Sequence, residues 1–157
     1  MEKMKMNKEL LFIKKNFTTK EEVINNTCSI AERLGYVNEN FKTDIIKREQ
    51  EFPTGLDTAV PIAMPHVGTN CNTSFMSITT VEKPVNFKYM DGTEGELPVE
   101  IIFLFGIVHP EDQMEVLKKL TALFRDENRL NRIINAQTNE EGFETMKEFL
   151  GDFVEAS

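Results

Sequence analysis

The sequence predicts an α/β fold, a single domain in which helices flank a mixed β-sheet. Three observations carry that reading. Segments with apolar residues at three- and four-residue spacing follow capping signals, short and nearly continuous apolar runs are bounded by turn residues, and the two textures alternate along 157 residues. A chain of that length builds one core without disulfide or metal staples, and no second domain is expected.

The opening Met1 to Lys8 is charged and is expected as a frayed tail, with the domain over residues 9–153. Thr19-Lys20-Glu21-Glu22 has the form of a capping box, in which hydroxyl and carboxylate each satisfy a backbone donor. Val23, Ile24, Cys28, Ala31 and Leu34 then recur at helical spacing up to Gly35, which closes the first helix. A second helix is expected from about Asn38 to Glu51, with Phe41 and Ile45 as its buried stripe and Pro53 stopping it. Arg48 falls on that stripe. After Gly55 come strand-like runs at Val60 to Met64, Phe75 to Val81 and Val99 to Phe105, with an edge piece at Val85 to Phe87 after Pro84 and a loop at Asp91 to Gly95. From Pro110 to about Phe124, the residues Met114, Leu117, Leu120, Thr121 and Phe124 predict an amphipathic helix with proline in its first turn. Asp126 can cap the next helix, and Thr138-Asn139-Glu140-Glu141 repeats the capping box before a last helix ended by Gly151.

Charge and absent motifs narrow the chemistry. A formal charge of -8 disfavours nucleic acid and anionic lipid, which need a basic surface, so any phosphate site must be arranged locally. No run approaches the roughly 18 to 20 apolar residues that cross a bilayer, and no signal peptide is recognisable, so a cytoplasmic protein is expected. Cys28 and Cys71 form no CxxC pair and are expected as reduced thiols. Phosphate-loop, dinucleotide, zinc-protease and serine-hydrolase signatures are missing. A metal would need further ligands beside two histidines, and Asp112 and Cys71 lack a metal-site spacing. Neither a cofactor nor a metal is expected.

Three residues could carry chemistry. His66 follows Pro65 and precedes Gly68, which permits a tight or positive-φ turn, so its ring is expected at the end of a strand as nucleophile or general base; a histidine that only ties down a loop fits the pattern as well. His109 ends the Val99 to Val108 run at the amino end of the Pro110 helix, where free backbone donors suit an anion, and it could equally be a capping or packing residue. Arg48 on an apolar stripe needs a partner, which could be a phosphate or a structural carboxylate such as Glu49 or Glu51.

Arg48-Glu49-Gln50-Glu51-Phe52-Pro53-Thr54-Gly55-Leu56, then Ile62-Ala63-Met64-Pro65-His66, then His109-Pro110-Glu111-Asp112 and the Leu117 to Phe124 helix together resemble the enzyme IIA component of the bacterial phosphoenolpyruvate-dependent sugar phosphotransferase system, in the fructose, mannitol and galactitol class. The resemblance runs from about the first helix to Leu150, and Phe-Pro-Thr-Gly-Leu looks most like galactitol-type members. It implies a phosphoryl relay. His66 would accept the group from the phosphohistidine of the small histidine-containing phosphocarrier protein, on the ring nitrogen remote from the backbone, and pass it to a cysteine of a IIB component and so to membrane IIC. His109 would help hold the phosphoryl oxygens and Arg48 would neutralise charge. Met64 departs from the more usual Ile or Val. The same resemblance leaves room for a regulatory module like the nitrogen-related members, in which the phosphorylation state of the histidine controls contact with another protein.

Overall fold

A computed structural model describes residues 2–157, so Met1, at the head of the expected tail, lies outside the described residues. Among the described residues seven strands form one mixed sheet: β1 (Met4–Met6), β2 (Leu11–Lys15), β3 (Ile62–Ala63), β4 (His66–Val67), β5 (Phe75–Lys88), β6 (Glu96–Gly106) and β7 (Val154–Ala156). The spatial order is β3-β6-β5-β1-β7, with β4 also on β6 and β2 also on β5. The β5–β6 hairpin is antiparallel; the other pairings are parallel.

Helices cover both faces, which explains the nearly unbroken apolar run in β6. Ile101, Phe103 and Phe105 point to one side, into a cluster shared with α3 (Gln113–Phe124), α4 (Glu127–Ile134) and α5 (Asn139–Leu150). Alternate residues point the other way. Leu104 meets α1 (Lys20–Arg33) and α2 (Phe41–Glu51) through Ile24, Cys28, Ala31, Phe41 and Ile45, while Ile102 packs with Val23 and Phe87.

The caps hold where hydroxyls and carboxylates meet free backbone donors. Thr19, Asp126 and Thr138 accept from Glu22, Arg129 and Glu141 N–H at 3.2, 3.1 and 3.1 Å. The return legs of the two boxes differ. Glu141 accepts from Gln137 N–H, one residue ahead of the cap, whereas Glu22 takes the Thr18 hydroxyl instead of a backbone donor.

Several expectations need correction. The first eight residues are not a frayed tail as a whole: Met4 and Met6 are buried and β1 pairs with β5 on one edge and β7 on the other. Burying a methionine is worth about 1.5–3 kcal/mol, so two of them hold a three-residue strand that Lys5 and Glu155 reinforce with a partly buried ion pair. β2 and β7 lie outside the expected strands. The runs at Phe75 to Val81 and Val85 to Phe87 are one strand, and Pro84 sits where the ladder with β6 shifts register between Thr80 and Val85, so its missing N–H breaks no pairing. α2 begins at Phe41 rather than Asn38. Pro110 opens a separate 3-10 turn, and α3 starts at Gln113, rotated from the expected stripe: Val116, Leu120, Leu123 and Phe124 are buried while Met114 is 66% exposed.

Candidate functional site

The expected strand over Val60 to Met64 shrinks to β3, and β4 continues it past Pro65, both lying on β6 in one unbroken register, Ile62 beside Ile101 and His66 beside Phe105. Pro65 interrupts the ladder because it has no N–H to give, although its carbonyl still accepts from Phe105 N–H at 3.1 Å. His66 therefore sits on the strand's continuation, not on a turn beyond it. Paired residues share a face, and the His66 ring stacks on Phe105 with centroids 4.6 Å apart and planes 4° from parallel. Gly68 does not use a positive φ, and a Cβ there would make only ordinary van der Waals contact with Pro110, 3.5 Å away.

One ring nitrogen is engaged. Nδ1 of His66 lies 2.6 Å from the Met64 carbonyl oxygen, an acceptor only, so Nδ1 carries the proton and Nε2 keeps its lone pair. Among the described residues Nε2 has no hydrogen-bond partner, and no fully buried side-chain nitrogen or oxygen there is left unpartnered, so Nε2 retains contact with solvent although His66 is only 7% exposed. Burial pushes the imidazole below its ordinary value of 6.5, the Met64 bond opposes that, and the Arg48 charge adds to the lowering. The ring is a neutral base held in one orientation.

Arg48 and His66 line the same two cavities, of about 560 and 220 Å³, together with Gln113 at the start of α3. The larger is walled by Thr54, Met64, Lys88 and Tyr89, among others, and the smaller by Gly68 and Pro110. The Arg48 guanidinium lies 4.4 Å over the Phe52 ring and has no carboxylate partner among the described residues, which removes the structural ion pair with Glu49 or Glu51 as its reason for being there. Its charge is available to an anion. His109 is different. It precedes Pro110, lines neither cavity, is half-exposed without capping the turn it starts, and its Nδ1 lies 3.9 Å from Glu111. The structure thus brings Arg48 and His66 together and leaves the His109 ring outside the shared walls.

Two buried residues beside the site have no place in the chemistry expected from sequence. Glu49, expected at most as an ion-pair partner, is 4% exposed and accepts from Thr54 N–H at 2.9 Å and from the Thr54 hydroxyl at 2.8 Å. Burial pushes its carboxyl up and the two Thr54 bonds pull it down. Thr54 Oγ1 in turn accepts from Met64 N–H at 3.1 Å. Gly55 comes next in the chain because a Cβ there would stand 2.6 Å from the Lys88 carbonyl oxygen, to which its own N–H donates. The signal is present in the run Glu49 to Gly55, a polar residue and a glycine behind a proline. Cys71 stays away from both cavities; its thiol donates to the Thr73 carbonyl and burial pushes it up to about 11. Among the described residues no group of three His, Cys, Asp or Glu could hold a metal ion, and no helix is long and apolar enough to cross a membrane.

Known proteins share the sequence pattern and the fold of this chain. Residues 4–149 match the family model described as "Phosphoenolpyruvate-dependent sugar phosphotransferase system, EIIA 2". The chain is 27% identical over 140 residues to the PTS system 2-O-alpha-mannosyl-D-glycerate-specific EIIABC component of Escherichia coli (strain K12), covering 85% of this chain and 20% of that protein. It is 26% identical over 138 residues to the probable licABCH operon regulator of Bacillus subtilis (strain 168), covering 87% and 20%. The chain thus spans about a fifth of the length of both relatives. Among solved structures it is similar to enzyme IIAMTL in its complex with phosphorylated enzyme IIBMTL from Escherichia coli, with a TM-score of 0.71 at 22% identity, covering 89% of this chain and 95% of that one. With matched residues that include β1 to β6 and both the helix that carries Arg48 and the strand that carries His66, the chain belongs to the EIIA 2 family of the phosphoenolpyruvate-dependent sugar phosphotransferase system.

Proposed function

We propose that the chain is a phosphoryl carrier: His66 takes a phosphoryl group on Nε2 from the phosphohistidine of the histidine-containing phosphocarrier protein and hands it to a cysteine of a IIB component. The observation that carries this reading is the His66 ring itself, with Nδ1 committed to Met64, a lowered affinity for protons, and an unbonded Nε2 in cavities shared with an unpaired arginine. In-line phosphoryl transfer runs through a loose transition state, so positioning and compensation of oxygen charge supply most of the catalysis. Arg48 compensates that charge, the side-chain amide of Gln113, which lines both cavities, adds a donor, and His109, beside Pro110, contacts the phosphoryl oxygens from the rim. The step is reversible: the phosphorus–nitrogen bond of the donor breaks as the one to Nε2 forms, and a thiolate later displaces Nε2.

The rim suits protein partners. Phe52 and Met90, 56% and 40% exposed, line the larger cavity, and the exposed Met114 is next in the chain to Gln113, which lines it too. Large apolar side chains left open around a reactive group support docking by a protein. The carrier works in the cytoplasm and reaches membrane IIC only through IIB, in the uptake of a sugar or sugar alcohol; Phe52-Pro53-Thr54-Gly55-Leu56 supports a galactitol-like substrate. A second reading, a regulatory module switched by His66 phosphorylation, is supported by the similarity to the licABCH operon regulator.

Incubation with phosphoenolpyruvate, enzyme I and the phosphocarrier should place an acid-labile phosphate on His66. No label, or label that survives His66→Ala, rejects the carrier. Rapid discharge to a purified IIB supports transport, and a stable phosphoprotein that IIB cannot discharge supports the regulatory reading.

A further inference from the structure

We infer that Glu49 and Thr54 are positioning residues that set the tautomer and aim of the His66 ring, an inference that rests on His66 being the phosphoryl acceptor. The path is short. Both oxygens of the buried Glu49 carboxylate accept from Thr54, one from its N–H at 2.9 Å and one from its hydroxyl at 2.8 Å. With its proton drawn to Glu49, the Thr54 hydroxyl turns a lone pair to Met64 N–H at 3.1 Å, and the Met64 carbonyl takes Nδ1–H of His66 at 2.6 Å.

This chain of bonds bridges the gap between β3 and β4. Met64 lies just past the end of β3, and Pro65 has no N–H, so the segment leading to His66 lacks part of the strand's own ladder. Thr54, in the loop after α2, supplies an acceptor to the Met64 N–H beside that gap. It is itself fixed from outside, because Gly55 is sewn to β5 by its N–H to Lys88 and its carbonyl to Met90. A side chain that only accepts is required at position 49. Glutamine would present an amide donor to one of two Thr54 donors, and the hydroxyl would lose its direction. Thr54 also lines the larger cavity beside His66, so the anchor and the nucleophile share a wall.

The test reads the ring before any phosphoryl group is present. In 15N-labelled protein at pH 8, long-range proton–nitrogen correlations should show His66 wholly as the Nδ1–H tautomer. Glu49→Gln and Thr54→Val should each give a mixture of both tautomers and slow loading by the phosphocarrier about tenfold, while Thr54→Ser restores both. A folded Glu49→Gln with a single Nδ1–H tautomer overturns the inference. Where Glu49→Gln fails to fold, the Thr54→Val and Thr54→Ser pair decides it in the same way. Mixed tautomers in variants of a chain that never accepts phosphoryl groups would uphold the positioning and reject the carrier reading, which keeps the two failures apart.

Discussion

His66 and His109 are attached to neighbouring parallel strands, yet the protein constrains their rings to very different degrees. His66 is stacked on Phe105, bonded through Nδ1 and enclosed, with one nitrogen left over. His109 lies past the end of β6, half-exposed, with the surface carboxylate of Glu111 3.9 Å from its Nδ1. Preorganisation separates the two. A nucleophile gains from a single orientation fixed in advance, whereas a side chain that only helps to hold oxygens can adjust when the anion arrives.

That contrast sets the order of the expected mutational effects. His66→Ala should lower loading by the phosphocarrier on the order of 10⁴-fold or more, because no other described nitrogen has the same setting; residual loading near the normal rate would erase the distinction between the rings. Arg48→Ala should slow loading and discharge alike by about 10²-fold, measured as rates in both directions, since its charge serves the transition state from either side. His109→Ala should still load and should lose roughly tenfold in transfer to IIB, the worth of one charged hydrogen bond. Complete loss of loading in that variant would show that the outer ring is as essential as the inner one.

The smallest effect is on pH dependence. The folded His66 binds its proton less readily than the ordinary value of 6.5 implies, so below that value the unfolded chain holds more protons. The contribution of His66 to stability is therefore full above pH 6.5 and lost as the pH falls through the window beneath it, at no more than about 1.4 kcal/mol per pH unit. Urea unfolding from pH 7 to 5 should show the protein losing stability relative to His66→Ala; a parallel pair of curves would mean that the ring is not desolvated.

The helices and the long strands were legible because their signals are local: Thr19, Asp126 and Thr138 each cap the helix behind them, and the run through Ile101 to Phe105 can only be buried on both sides. β1 was hidden by its charges, although the alternation of Met4, Lys5 and Met6 is the period of a strand with one buried face. β7 pairs with it from the far end of the chain, a contact that no local pattern encodes. At the site, His66 and Arg48 stood out as chemical types in unusual places. Their setting did not. That His66 lies on the strand opposite Phe105 depends on the register across Pro65, and that Glu49 serves Thr54 instead of Arg48 depends on how the chain turns after α2. Met114 leaves the expected stripe because it sits at the exposed first turn of α3, whose buried face runs through Val116, Leu120, Leu123 and Phe124.

The fate of the free nitrogen tests the central claim most directly. Phosphorus and nitrogen NMR of the protein loaded from phosphoenolpyruvate should show the phosphoryl group bonded to Nε2 of His66 with the proton still on Nδ1. A phosphoryl group on Nδ1, or on His109, would contradict it.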